Sequence, residues 1–189
     1  MDPDLVFIQA LQHGKDEGLN ELIARHKAAV FRFTLRYTQN EADATDLTEE
    51  TFVKVFFNAH KFRAKAHVKT WIFTIAANLC RDHFRKKKRH PHISLDSTEE
   101  YGREQSMGER LPHQGKTSAQ QAEFNEFTKA VENAINELPH KLKTPFILFA
   151  LEEHSHKDCA IILNCSPKAV ETRIFRARKL LREKLSLHL

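Results

Sequence analysis

The sequence predicts an all-α protein: two small helical domains joined by a flexible linker, the C-terminal one a helix-turn-helix. Three observations carry this. Apolar residues recur at steps of three and four in several windows, which is the period of an amphipathic helix. Only five Gly and six Pro occur in 189 residues, and extended alternation of Val, Ile and Thr is missing, which disfavours a sandwich or barrel. Residues 92–120 carry no period at all and separate two periodic halves. The chain is long enough for one ordinary domain or two small ones.

In the first half, Leu19, Leu22, Ile23, Val30, Phe33 and Tyr37 form one helical stripe, with His26 in the gap. Thr38-Gln39-Asn40-Glu41 interrupts it, and Asn40 is placed to cap the next helix. That helix turns Leu47, Thr51, Phe52, Val55, Phe56 and Ala59 inward. A polar break spans Asn58–Lys69, and Thr70 is the expected cap of a third helix carrying Trp71, Ile72, Ile75, Ala76, Leu79 and Cys80. This helix should stop before Pro91. Three such stripes can close into a bundle over residues 1–90.

Residues 91–122 read as the linker, rich in Ser, Thr, Glu, Gln, Gly and Pro. Residues 123–189 form the second domain. Phe124, Phe127, Val131, Ala134, Ile135 and Leu138 mark a helix that Pro139 ends. Pro145 opens the next, Pro145–Leu151, at a first-turn position where a missing N–H costs nothing. Ser155-His156-Lys157-Asp158 has capping-box spacing, Asn164-Cys165 makes a short turn, and Ser166-Pro167 starts a last helix toward Leu185. Short helix, tight turn and long basic helix make a helix-turn-helix pattern.

Charge placement says more than the formal net +5. Arg81–Arg89 and Pro167–Leu189 each carry a local balance of +5, and His92–Glu123 between them is acidic. Two separated basic patches suit a polyanion held at two places. On a helical wheel Val170, Ile174, Ala177, Leu181 and Leu185 share one face of the last helix. Lys168, Thr172, Phe175, Arg176 and Lys179 lie opposite, with Glu171 and Arg182 beside them and Arg173 and Arg178 on the flanks. A helix fits the DNA major groove, and Arg, Glu and Thr have base-edge partners there. An aromatic pointing outward among cations argues against a merely solubilising face. Around the first basic block, cations lie beside amides and aromatics, which suits opened DNA with unstacked bases. Trp71 falls on the apolar stripe and is expected in the core. Phe62, in the polar break, is the expected base contact.

Other classes fare worse. No segment approaches the ~18–20 apolar residues of a membrane helix, so no membrane insertion is expected. The acidic start Met1-Asp2-Pro3-Asp4 is unlike a signal peptide. Three cysteines cannot all pair with one another, which favours a reduced, cytoplasmic setting. His154, His156, Cys159 and Cys165 match no standard zinc spacing. No Gly-rich phosphate loop or zincin motif exists, so neither a cofactor nor an enzyme is expected.

Asp46-Leu47-Thr48-Glu49-Glu50-Thr51-Phe52-Val53-Lys54-Val55 resembles the polymerase-binding helix of bacterial sigma factors. Thr70 to Arg85 is similar to the promoter-opening segment that follows it. Glu137-Leu138-Pro139 and Ala169 to Leu181 resemble the family's C-terminal helix-turn-helix. Order and spacing are similar to the two-domain extracytoplasmic-function group of the sigma-70 family. The resemblance implies binding to core RNA polymerase, at its β′ clamp and β flap, with Asp46, Leu47, Glu49, Glu50 and Phe52 on the helix that meets the clamp. It implies −10 element recognition and melting by Phe62, Lys65, Asn78, Arg81, Arg85 and Lys86. It implies −35 recognition by Lys168, Glu171, Thr172, Arg173, Phe175, Arg176 and Lys179. An anti-sigma partner is a further expectation, since family members are often held by one. A polymerase-independent helix-turn-helix regulator is the alternative; it would leave the Asp46–Val55 and Thr70–Arg85 segments without a task.

Overall fold

A computed structural model describes residues 2–89 and 118–186. Among them are eight α-helices and no strand. The first half comprises α1 (Leu5–Gln12), α2 (Glu17–Thr38), α3 (Glu41–Asn58) and α4 (Val68–Arg89), with one 3-10 turn at Ala59–Lys61. The second comprises α5 (Ser118–Asn136), α6 (His140–Ala150), α7 (His156–Leu163) and α8 (Pro167–Leu185).

Sequence patterning misses α1. This helix packs along α2 through Ile8, which is fully buried. Gly18 permits the approach: a Cβ there would lie 2.3 Å from the Phe7 carbonyl oxygen. Polar straps hold α1 in place. Asp4, itself buried, bonds His26 at 2.7 Å and Arg25 at 3.1 Å. Asp2 accepts the Val68 N–H, satisfying one of the free donors at the start of α4. Gln12 donates to the Ala59 carbonyl at 2.9 Å and so fixes the 3-10 turn.

Helices α2 and α3 meet over small and hydroxylated residues. Ala44, Thr34, Thr48 and Thr51 are all buried. Each threonine hydroxyl bonds a carbonyl of its own helix three or four residues back, so no donor is stranded. Asn40 caps α3 as its position suggests, accepting from the Asp43 N–H at 2.8 Å. Thr70 does not cap α4. The helix starts two residues earlier, and Thr70 lies buried inside it with its hydroxyl bonded to Asp158.

Two boundaries in the second half also differ from expectation. Residues 118–122, read as linker, already belong to α5, while the expected aperiodic stretch 91–117 lies outside the described residues. Pro145 stands in the interior of α6 rather than at its first turn. The helix begins at once after Pro139, whose carbonyl takes the Leu142 and Lys143 N–H groups. Ser155 and Ser166 cap α7 and α8 through the N–H groups of Asp158 and Ala169. Asn164 closes α7 in the left-handed region at φ 49°.

The halves pack against each other, with α4 lying on α7 and α2 on α6. Their buried residues join into one apolar cluster. The α6–α7 turn carries the polar part of this seam. Glu152, almost fully buried, bonds Arg36 at 3.0 Å with Arg32 at 3.9 Å. Its backbone carbonyl accepts from Lys69 at 2.8 Å. His154 packs edge-on against Phe73, with ring centroids 4.5 Å apart.

Candidate nucleic-acid interface

Helix α8 is built as a two-sided element. Val170, Ile174, Ala177 and Leu181 are buried against α6 and α7. The opposite face is open: Lys168, Glu171, Thr172, Phe175, Arg176 and Lys179 are exposed, and Phe175 keeps 70% of its surface. Arg173 sits half-buried on the flank, 3.6 Å from the Cys165 sulfur. Lys168 pairs with Glu171 at 3.0 Å and Lys179 with Glu183 at 3.9 Å. Exposed pairs of this kind are worth little and give way readily to a better anion. Arg178 is held aside over the Phe149 ring at 5.5 Å. Of the seven residues expected at the −35 element, six are exposed on α8 and Arg173 is half-buried.

On α4, Asn78, Arg81, Arg85 and Lys86 are exposed along the last three turns. Arg81 donates to Asn78 at 2.9 Å, and Arg85 lies 3.8 Å from Asp82. Lys65 is exposed in the preceding loop. Phe62 departs from expectation. It is 6% exposed and packs on Trp71, with centroids 5.1 Å apart. The 3-10 turn held by Gln12 rotates Phe62 inward, and Trp71 becomes the partly exposed member of the pair. In this conformation Phe62 cannot stack on a base.

The α3 residues also divide. Asp46, Glu49 and Glu50 are exposed, and Glu50 pairs with Lys54 at 3.5 Å. Leu47 and Phe52 are each 5% exposed, so they hold the helix on its bundle rather than offering surface. The apolar surface comes instead from Val53, Phe56 and Phe57, at 51%, 40% and 66% exposure. With Leu19, Ile23 and one edge of Phe52 they line a groove of about 460 Å³ between α2 and α3, rimmed by Asp16, Lys27 and Glu49. An exposed apolar patch with a polar rim marks an interaction site. Sequence reasoning placed Phe56 inward. The available signal was that Val53 and Phe57 stand four residues apart, off the buried stripe.

At the seam, burial dominates the titrations. It pushes the His154 imidazole down to about 4, helped by Lys69 and opposed by Asp158. It pushes the Glu152 carboxyl up, against Arg32, Arg36 and Lys69. Asp158 is also partly desolvated, yet hydrogen bonds from Ser155 and Thr70 leave its carboxyl below the usual range. No group of three or more His, Cys, Asp or Glu among the described residues is placed to hold a metal.

An all-α fold with two exposed basic helical surfaces and a separate apolar groove is the architecture of a helical DNA-binding protein. The sigma-70 region 2 model matches residues 22–90, and the sigma-70 region 4 model matches residues 128–181. The ECF RNA polymerase sigma-E factor of Haemophilus influenzae is 29% identical over 185 residues, covering 96% of this chain and 95% of that one. The ECF sigma factor SigW of Bacillus subtilis is 27% identical over 178 residues, covering 94% of each. Among solved structures, CnrH in complex with the cytosolic domain of CnrY superposes with a TM-score of 0.70 at 24% identity, covering 98% of this chain and 99% of that one. RpoE of Bartonella quintana, solved with the anti-sigma factor NepR, gives 0.66 at 23% identity, covering 88% of this chain and 96% of that one. The chain belongs to the sigma-70 family and is an RNA polymerase sigma factor of the extracytoplasmic-function type.

Proposed function

We propose that this sigma factor divides its work by surface. The α3 groove and the acidic residues Asp46, Glu49 and Glu50 dock on the polymerase clamp. Asn78, Arg81, Arg85, Lys86 and Lys65 hold the opened −10 element. The outward face of α8 reads the −35 element. The observation that carries this reading is Phe175, an exposed aromatic among Lys168, Thr172, Arg176 and Lys179 on a helix whose other face is fully buried. Opening duplex DNA costs roughly 1.4 kcal/mol per step. Capturing an unstacked base returns about 1–3 kcal/mol. Two modest contacts on one chain add through effective concentration, and the polymerase sets their spacing.

Bond-making belongs to the polymerase, so the sigma factor supplies no catalytic group. No helix among the described residues is long and apolar enough to cross a membrane. A cytoplasmic site of action follows from partners that reside there. The structural neighbours, CnrH solved with the cytosolic domain of CnrY and RpoE solved with the anti-sigma factor NepR, support an anti-sigma partner for this chain.

Run-off transcription with core polymerase over a promoter library tests the reading. Defined transcripts that need this protein are expected. Binding to duplex sites with no transcript unless another sigma factor is added would overturn it in favour of a polymerase-independent regulator.

A further inference from the structure

A second cavity, of about 240 Å³, opens where the two halves meet. Its walls come from Tyr37, Thr38 and Gln39 at the end of α2, His83, Phe84 and Lys87 on α4, and Asn136, His140 and Lys143 around the start of α6. Nitrogen donors dominate this lining. Lys143 is 2% exposed as a residue, and it lines this cavity. Nδ1 of His140 is buried with no hydrogen-bond partner. The His140 ring is clamped between Phe84 at 3.9 Å and Tyr37 at 5.3 Å, so this nitrogen has a fixed direction. His83 Nε2 is likewise buried, 3.2 Å from Asp43 Oδ2 but not aligned to donate to it. Asp43 stands at the rim, 3.5 Å from Lys87, and does not line the cavity.

Two imidazole nitrogens buried without a hydrogen bond are costly, and the largely buried Lys143 places a positive charge beside them. That cost is removed if an anion occupies the space between them. We infer that this cavity is a binding site for a small oxyanion of phosphate size, held by Lys143, His140, His83 and Lys87. The volume is below the ~300–1,000 Å³ of drug-sized ligand sites, which favours an inorganic ion over a nucleotide. Burial holds the Lys143 ammonium down at about 8, which still leaves it mostly charged at neutral pH. Bound there, the anion touches both halves at once and favours their packed arrangement. This site is independent of the promoter-binding assignment.

The test uses the full chain and inorganic phosphate. Calorimetric titration at pH 7, with sodium chloride matching ionic strength, should give saturable binding of one phosphate per chain. Imidazole nitrogen resonances of His140 and His83 should shift with the same midpoint. Lys143→Met removes the charge while keeping most of the side-chain volume, so it should fold and bind phosphate at least tenfold more weakly. His140→Phe, which keeps the ring packing, should weaken binding as well and serves if the first variant misfolds. The inference is overturned if phosphate acts no differently from chloride, if the His140 resonance does not move, or if both variants bind as tightly as the parent.

Discussion

His154 shows how far one side chain can tie stability to pH. Its folded-state value of about 4 lies below the ordinary 6.5. A depressed base contributes stability that is complete above 6.5 and is lost as pH falls toward 4. Lowering pH from 7 to 5 should therefore cost up to ~2 kcal/mol through this residue. His154→Phe keeps the edge contact with Phe73 and removes the proton site. Thermal melts of that variant should lose the His154 share of the acid sensitivity, and an unchanged pH profile would place that sensitivity elsewhere. Gly18 poses a steric version of the same question. A methyl group there would meet the Phe7 carbonyl, and main-chain atoms cannot rotate away. Gly18→Ala should destabilise by roughly 1–3 kcal/mol despite alanine's better helix propensity. Urea unfolding would measure it, and a gain in stability would show that α1 simply slides.

Single helices here serve two masters, and the two faces can be perturbed separately. On α8, Arg176 lies exposed on the open face. Arg176→Ala should leave the melting temperature unchanged and weaken −35 duplex binding by about 1–3 kcal/mol if it reads a base. Equal loss on random DNA, measured by fluorescence anisotropy, would assign it to phosphates. On α3, Glu50 is exposed and follows Glu49, which lines the apolar groove. Glu50→Lys should reduce assembly with core polymerase in a pull-down while isolated −35 binding is retained; undiminished assembly would remove this face from the contact. Most of this was legible beforehand because solvent-facing helices advertise their buried stripe with a regular period. Phe62 was not. Its orientation depends on a 3-10 turn fixed by Gln12, some fifty residues earlier, and no local pattern encodes a tie of that range. Helix α1 escaped notice for a related reason: one fully buried residue and a set of carboxylates hold it, rather than a long stripe.

Across the molecule, the seam is the least local feature and the one sequence could not supply. Domain halves, their order and the helix-turn-helix follow from periodicity and punctuation. Packing α4 on α7 depends on Glu152, His154 and Asp158 meeting Arg36, Phe73 and Thr70, pairs separated by more than eighty positions. Glu152 is the natural lever. Its side chain is 2% exposed, and its partners Arg36 and Arg32 are partly open to water. Removing one member of a covered ion pair is far more damaging than the pair is stabilising. Glu152→Lys places three cations together and should separate the halves, read as a larger radius of gyration by X-ray scattering. Adding Arg36→Glu should restore part of the compaction. A single variant as compact as the parent would show that apolar packing alone holds the seam.

The sulfur atoms lend themselves to one practical use. Cys80 and Cys159 are buried, and that burial lifts their thiols to about 12, so both are poor nucleophiles near neutrality. Cys165 alone is partly open, and it sits beside Arg173 at the entrance to α8. A maleimide fluorophore should therefore attach at one native position, next to the α8 face proposed to read DNA, with no engineering of the chain. Its emission would then report promoter docking in real time.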